Sequence, residues 1–283
     1  MFETHVMTTD RRSELADFLR GRRTRATPAA AGLKAGPRRR TPGLRREELA
    51  QLAGLSVDWY TRLEQGRDVN PSRETLQAIA RVLQLDDDER GHLFYLARPE
   101  SPHDPSAAAR ARASYEKAEP AMIRALEAMA VPALVISPRF DLLAWNAAAC
   151  RLLVPIGDLP RAHRNILWLT FRHPAWRARY ADISLVERES VASFRFAASS
   201  FVGDPHFDSL IADLLETSEI FRAHWARHEV RAKTGGTKGF RTSGEPLALD
   251  WHTLASTTAA GQQLVYYVPR PGDEPRFAEL CGG

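Results

Sequence analysis

The sequence from Leu44 to Gly66 reads LRREELAQLAGLSVDWYTRLEQG. Apolar residues recur in it at the spacing of two short helices, with Gly54 and Ser56 between them. Glycine takes the left-handed backbone conformation that ends a helix at little cost, and a serine hydroxyl can cap the next helix. The stretch therefore predicts a helix-turn-helix whose second helix enters the major groove of DNA. The positions predicted to pack between the helices are Leu49, Ala53, Leu55, Tyr60 and Leu63.

The residues predicted to contact DNA follow from their positions on the two helices. Arg45 and Arg46 open the first helix, where side chains and backbone amides commonly bind phosphate. Arg62 is the first candidate for reading a base, because a guanidinium group pairs with guanine through two hydrogen bonds. Asp58 lies one turn earlier and can accept from a cytosine amino group or orient Arg62.

The second helix supplies further candidates. Val57 or Trp59 can contact a thymine methyl group, although Trp59 can equally pack against a neighbouring loop or a partner subunit. Gln65 and Arg67 are expected to contact backbone phosphate. The outward face of this helix is predicted to consist of Ser56, Val57, Asp58, Trp59, Thr61 and Arg62.

A basic segment precedes the motif. From Arg11 to Arg46 there are twelve arginine or lysine residues against two acidic residues. Residues 26–43 are rich in Ala, Gly, Pro and Arg, so they cannot form a regular helix throughout and are interpreted as an insertion. Arg38, Arg39 and Arg40 are predicted to follow the DNA backbone or to enter the minor groove. The alternative is a basic loop that stays in solvent.

Flanking helices complete an all-α domain of five helices, which we place at residues 1–97. Residues 11–25 carry an apolar stripe at helical spacing. Ser72 stands where the fourth helix needs an N-terminal cap, and Asp86 with Glu89 forms the pattern of a capping box for the fifth.

A linker at residues 98–117, interrupted by three prolines, leads to a second domain at residues 118–283. Asn146 follows a predicted strand and is expected to cap a helix. The pattern predicts an α+β domain, with an antiparallel sheet covered by helices on one side. Its predicted strands cover residues 131–137, 142–145, 247–251 and 263–268.

The motif resembles the repressor-type, or XRE, helix-turn-helix family, which shares its Leu63-Glu64-Gln65-Gly66 ending. With the flanking sequences RRRTPG (38–43) and RDVNP (67–71), the N-terminal part is similar to that of the bacterial MmyB-like transcription regulators. The second half resembles the same family at Trp145-Asn146, and the resemblance covers nearly the whole chain. The other matching sequences are RNIL (164–167), FRHP (171–174) and SEIFRAHWARH (218–228).

The resemblance implies a PAS-like sensing domain with a pocket between sheet and helices that holds a fatty-acid-like or other apolar small molecule. Asn146 or Asn165 would serve as a polar anchor for this ligand. The chain departs from the family pattern at Ile183, where tryptophan is usual, and at Arg241-Thr242, where His-Pro is common. The alternative is that its aromatic residues simply fill a core. The residues predicted to line the pocket are Trp145, Trp168, Phe171, Phe194, Phe221 and Trp225.

The resemblance also bears on Arg23 and Glu64. Members of the family often pair an arginine of the first helix with the glutamate that ends the recognition helix. We expect Arg23 and Glu64 to form such a buried pair, with a surface position for Arg23 as the alternative.

Signals for other kinds of site are weak. His224 and His228 stand four residues apart and can share one helix face, but no third ligand supports a metal site. Gly235-Gly236 predicts a hairpin turn. Cys150 and Cys281 are far apart and form no disulfide framework. No hydrolase, nucleotide or flavin motif is present, so the sequence predicts no catalytic residue and no cofactor beyond the fatty-acid-like ligand.

The sequence has no apolar run of eighteen residues and no secretory signal, which predicts a cytoplasmic protein without a membrane partner. We therefore predict a sequence-specific transcriptional regulator that binds an operator in double-stranded DNA as a homodimer and responds to a ligand. In an alternative, the C-terminal domain is a protein-interaction or dimerisation module without a small-molecule ligand. A third interpretation is an enzyme tethered to DNA.

Overall fold

The computed structural model describes residues 11–33, 43–97, 117–199, 201, 204–232, 235–258 and 261–281. The predicted basic contacts Arg38, Arg39 and Arg40 lie outside these residues. Among the described residues, no helix is both long enough and apolar enough to cross a membrane.

Five helices form the N-terminal part of the described chain, as the sequence predicted. They are α1 (Arg11–Arg25), α2 (Arg46–Ala53), α3 (Val57–Glu64), α4 (Arg73–Val82) and α5 (Asp87–Ala97). Burial of large apolar side chains between them supplies the main stabilising free energy. The buried residues include Leu15, Phe18, Leu19, Leu49, Tyr60, Leu63, Leu76, Ile79 and Leu93.

Local signals set the ends of these helices. Gly54 has a φ of 69° and ends α2 in the left-handed conformation. The hydroxyl of Ser56 accepts from the amide of Trp59 at 3.1 Å and caps α3. Asp86 and Glu89 form the predicted capping box, in which each side chain accepts from the other residue's amide. These predictions are confirmed.

An antiparallel five-stranded sheet with the order β2-β1-β5-β4-β3 organises the C-terminal part. Its helices include α10, a 17-residue helix that becomes important below. The strands are β1 (Ala133–Ile136), β2 (Leu142–Trp145), β3 (Gly235–Phe240), β4 (Leu247–Ala255) and β5 (Gln263–Pro269). The helices are α6 (Pro120–Glu127), α7 (Ala147–Leu152), α8 (Ile166–Arg172), α9 (Pro174–Ala178), α10 (Ile183–Ser199), α11 (Pro205–Thr217), α12 (Glu219–Trp225) and α13 (Glu274–Cys281).

Both faces of the sheet carry buried residues. Alternate residues of β1 point to opposite faces, so Leu134 joins the main core while Val135 packs in a cluster with Met122 and Leu126 of α6. The prediction of helices on one side only was therefore wrong for α6, which covers the opposite face at β1.

Two local predictions in the second half were also wrong. Gly235 and Gly236 do not form a hairpin turn but begin β3, where they pair with His252 and Trp251 of β4. His228 does not share a helix face with His224, because α12 ends at Trp225 and His228 has a φ of 49°.

The two parts of the chain pack against each other at a surface that we call the domain interface. One of its polar contacts joins Glu14 of α1 to Arg195 of α10. Val230 is 6% exposed and lies in the same apolar cluster as the N-terminal core, and Phe196 packs against that cluster. The C-terminal part thus completes the core of the helix-turn-helix part.

Candidate DNA interface and ligand cavity

Helix α3 presents a continuous exposed face. Ser56, Val57, Asp58 and Arg62 are exposed, and Val57 is 41% exposed although it is apolar. An exposed valine on this face suits apolar contact with a thymine methyl group. Gln65 lies in the turn just after the helix and is also exposed.

Trp59 and Thr61 differ from these residues. Both are only partly exposed, and Trp59 packs against the apolar core of the N-terminal part. Two alternatives were predicted for Trp59, contact with a thymine methyl group or a packing contact. The structure shows a packing contact. Arg45 and Arg67 are exposed at the two ends of the motif, where phosphate contacts were predicted.

Glu64 anchors α3 to the rest of the domain. Its carboxylate is completely buried and accepts from Nε and Nη2 of Arg23 at 2.6 and 2.8 Å. Arg23 also donates to the carbonyl of Leu44 at 2.7 Å, just before α2. The predicted Arg23–Glu64 pair is confirmed, and it ties α1, α2 and α3 together through two-pronged geometry.

Arg46 also belongs to this cluster. It begins α2 and donates from Nε to Oε1 of Glu64 at 3.0 Å. Its guanidinium group is thus held by Glu64, and 40% of its side chain remains exposed. Burial alone would raise the pKa of Glu64, but the hydrogen bonds and charge of Arg23 and the charge of Arg46 hold that pKa below its ordinary value.

A cavity lies between the sheet and helices α8 and α10, where the family resemblance placed a pocket. We call it the sheet–helix cavity. The space open to the centre of a water molecule is about 20 Å³, which is room for one or two waters. Its lining residues are Phe140, Ile166, Thr170, Trp176, Tyr180, Val186, Glu189, Ser190, Ser193, Lys238, Trp251, Val265 and Tyr267.

The polar side chains of this cavity include the donors Lys238 and Trp176, several hydroxyl groups that both donate and accept, and the carboxylate of Glu189, which accepts. The ammonium group of Lys238 lies 4.9 Å from the ring centre of Trp251 and 5.9 Å from that of Tyr180. Burial lowers the pKa of Lys238 to about 8, against the opposing charge of Glu189. Thr170 Oγ1 and Trp176 Nε1 are buried and make no hydrogen bond within the described part of the chain. An acceptor group bound in the cavity would satisfy these two donor groups.

Both halves of the chain match models of known protein families. The family model of the MmyB-like transcription regulator ligand binding domain matches residues 118–280. The chain belongs to the MmyB-like transcription regulators. A second model, of a helix-turn-helix domain, matches residues 14–93 and includes the exposed face of α3. The two matches make this MmyB-like protein a DNA-binding transcription regulator. A search of curated proteins found no match.

The predicted aromatic ligand contacts of this MmyB-like regulator lie elsewhere than in the sheet–helix cavity. Phe194 and Phe221 are fully buried, and Phe221 packs edge-to-face on Phe171 with ring centres 5.2 Å apart. Trp168 stacks on His163, and Trp145 lies under the guanidinium group of Arg164. Their positions agree better with the alternative of a filled core.

Trp225 is the exception among these aromatic residues, because it lines a second cavity. This cavity lies at the domain interface, and Arg195 and His92 also line it. The indole ring supports the guanidinium group of Arg195, whose carbon lies 3.7 Å from the ring centre.

The two predicted polar anchors are used by the backbone. Asn146 Oδ1 accepts from the amides of Ala133 and Ala149 at 3.1 and 2.9 Å, and its Nδ2 donates to carbonyl groups before β1. Asn165 Oδ1 accepts from the amides of Leu167 and Trp168, while its Nδ2 donates to Asp141 and to a backbone carbonyl. Both side chains therefore act as helix caps that fasten neighbouring loops.

The residues that line the sheet–helix cavity were not among those predicted from the sequence. For Trp251 and Tyr267 a signal was present, because alternation along the predicted strands places them on the same face as buried Leu249 and Val265. For Lys238 no such signal was present, because β3 was not predicted. Among the described residues, no cluster of three or more His, Cys, Asp or Glu is arranged to hold a metal ion.

Proposed function

We propose that this MmyB-like regulator binds a two-fold-symmetric operator as a homodimer and that a fatty-acid-like molecule in the sheet–helix cavity controls it. The DNA part of the proposal is supported by the exposed face of α3 and by the buried cluster that fixes this helix. Arg62 would read a base, while Arg45, Arg67 and the basic residues 38–40 would contact phosphate.

Substitution of Arg62 by alanine tests the assignment of base reading. We expect Arg62→Ala to lose about 1–3 kcal/mol of binding free energy at the cognate site and to relax sequence preference. The measurement is a titration of cognate and scrambled duplexes at fixed salt, after selection of the cognate sequence from random DNA. Arg81→Ala is the matched control, because Arg81 is exposed on α4 outside the motif. Equal weakening on both duplexes would make Arg62 a phosphate contact instead.

The ligand part of the proposal depends on one observation, which is the chemistry of the sheet–helix cavity. Aromatic walls from Trp176, Tyr180 and Trp251 surround a site that Lys238 supplies with a positive charge. An ammonium group in partly apolar surroundings favours an anionic partner, and apolar walls favour an alkyl chain. A carboxylate attached to an alkyl chain has both properties.

The small volume of the cavity limits which ligands it can hold without a change in structure. Space for one or two waters does not hold an alkyl chain, so a fatty-acid-like ligand must displace a wall of the cavity when it binds. Helix α10 supplies four lining residues to that wall, which are Val186, Glu189, Ser190 and Ser193. Ligand binding is therefore expected to move α10.

A pair of probes that differ only in their head group tests this site. We expect the full chain to bind dodecanoate more tightly than dodecanol by calorimetry, since a charge-assisted hydrogen bond to Lys238 contributes about 1.5–3 kcal/mol. Lys238→Met should remove this preference, while Lys117→Met, at an exposed lysine, should retain it. Failure of the unmodified protein to bind either probe would contradict a fatty-acid-like ligand. Native mass spectrometry with solvent extraction would then identify any molecule that co-purifies.

A further inference from the structure

The domain interface contains a buried ion pair. Nη1 of Arg195 lies 3.0 Å from Oε2 of Glu14, and the two side chains are 3% and 17% exposed. Nη2 of Arg195 donates to the carbonyl of Trp225 at 2.5 Å. One side chain of α10 therefore contacts both α1 of the DNA-binding domain and α12 of its own domain.

Apolar and backbone contacts also join the two domains. Val230 lies within the N-terminal core, and Phe196 packs against that core from α10. The amide of Ala232 donates to the carboxylate of Asp88 on α5 at 2.9 Å. The ion pair is thus part of a packed surface that holds the two domains in one arrangement.

Helix α10 separates this surface from the sheet–helix cavity. Ser190 and Ser193 line the cavity, and Arg195 follows Ser193 by two residues. At about 100° per residue, Ser193 and Arg195 point about 200° apart around the helix axis. Arg195, which contacts the DNA-binding domain, and the cavity therefore lie on opposite faces of the same helix.

Helix α1 continues the connection on the other side of the interface. Glu14 of α1 holds Arg195, and Arg23 of the same helix holds Glu64 through two hydrogen bonds. Glu64 is the last residue of α3, the helix that faces DNA. Two rigid helices and two ion pairs thus link the cavity to the recognition helix.

We propose that α10 couples the sheet–helix cavity to DNA binding, because a ligand that displaces α10 changes the Arg195–Glu14 contact and thereby the position of α1 and α3. This coupling rests on the proposed function, since it assigns a consequence to filling the cavity. Packed interfaces switch between discrete arrangements more readily than they deform, so a small shift of α10 is sufficient. The coupling is reciprocal: DNA must change ligand affinity by the same factor.

The first test measures DNA affinity of the full chain with and without saturating dodecanoate, on a duplex selected from random DNA. We expect dodecanoate to change the dissociation constant for DNA by about 5-fold or more. In Glu14→Gln, dodecanoate and DNA should both still bind, but dodecanoate should change the dissociation constant for DNA by less than about 2-fold. Asp87→Asn is the matched control, because Asp87 is exposed and pairs within α5 with Arg90. An undiminished effect in Glu14→Gln would overturn the proposal.

The second test needs no ligand and separates the coupling from the choice of ligand. Ser193→Leu fills the cavity and pushes on α10, and Ser193→Thr is the milder version if the leucine variant does not fold. We expect filling to change DNA affinity in the unmodified background and to have no effect in the Glu14→Gln background. If dodecanoate fails but this result is obtained, the ligand proposal is wrong and the coupling stands. A filled cavity that leaves DNA affinity unchanged would overturn the coupling.

Discussion

The Arg23–Glu64 and Arg195–Glu14 contacts differ in how well their hydrogen bonds are satisfied. In the first, Glu64 accepts from two atoms of Arg23 and from Arg46, and Arg23 also reaches a backbone carbonyl. In the second, Arg195 meets Glu14 through a single nitrogen–oxygen contact. Nε of Arg195 is buried and has no hydrogen-bond partner in the part of the chain that the structure describes.

The pKa values of the two arginines reflect this difference. Hydrogen bonding to Glu64 raises the pKa of Arg23 above its ordinary value. Burial lowers the pKa of Arg195, because the attraction of Glu14 does not outweigh the loss of solvent. The first contact fixes the recognition helix, whereas the second holds the domains together at a smaller net gain and is the contact that a ligand can change.

Removal of Glu64 should have the largest effect on stability. Glu64→Ala leaves Arg23 buried without its carboxylate partner, which costs about 3–5 kcal/mol of the free energy of unfolding. Chemical denaturation of the purified protein measures this loss. Asp68→Asn is the control at an exposed ion pair with Arg12 and should cost below about 1 kcal/mol. Similar losses in both variants would show that burial does not distinguish the Glu64 contact.

Removal of Arg195 should have an intermediate effect. In Arg195→Met the carboxylate of Glu14 keeps access to water, and the methionine retains contact with Trp225, so we expect a loss of about 1–2 kcal/mol. Arg188→Met, at an exposed position of the same helix, should change stability by less than about 0.5 kcal/mol. A loss as large as that of Glu64→Ala would remove the proposed difference between the two contacts.

Replacement of His92 should have the smallest effect on stability at neutral pH, and this effect should depend most clearly on pH. Its ring is 2% exposed at the domain interface, packs on Phe18, and has no hydrogen-bond partner among the described residues. Replacement by phenylalanine, which has a similar shape, should change stability by less than about 1 kcal/mol above pH 7.

The pH dependence follows from burial, which, with the nearby charge of Arg195 and Arg22, lowers the pKa of His92 from 6.5 to about 3. The unfolded chain therefore binds a proton below pH 6.5 that the folded protein does not bind until the pH falls to about 3. Stability is retained above pH 6.5 and decreases as the pH falls, by up to about 1.4 kcal/mol per unit for one proton. His92→Phe should lower this slope between about pH 6 and 5, and an unchanged slope would contradict the assignment.

The helix-turn-helix was predictable because its signals are local. Gly54, Ser56 and the Asp86–Glu89 pair act within one turn of their own position, so residue type alone indicates the helix ends. The exposed positions of α3 followed from the same periodicity. The buried Arg23–Glu64 pair joins residues far apart in sequence, and only the family resemblance indicated it.

The cavity was not predictable for the opposite reason. Its lining comes from several helices and three strands, and the sheet brings them together. Strand β3 contains three glycines in GGTKGF and has little intrinsic preference for a strand, so pairing with β4 determines its structure. Asn146 and Asn165 were predicted as polar anchors for a ligand, but residue type does not show that backbone groups occupy their hydrogen bonds.

Gly43 has a consequence for how this regulator can change during evolution. A Cβ atom at this position would lie 2.3 Å from the carbonyl oxygen of Thr24, and Leu44 donates to the carbonyl of Arg23. The chain therefore returns from the 26–43 insertion to a fixed point at the end of α1. On the other side, Nε2 of Gln84, which follows α4, donates to the carbonyl of Ala30 at 2.6 Å. Because both boundaries are held by the domain, residues between them can be lengthened, shortened or recharged without moving the recognition helix. Substitutions in this segment can therefore accumulate while the domain keeps α3 in the same position.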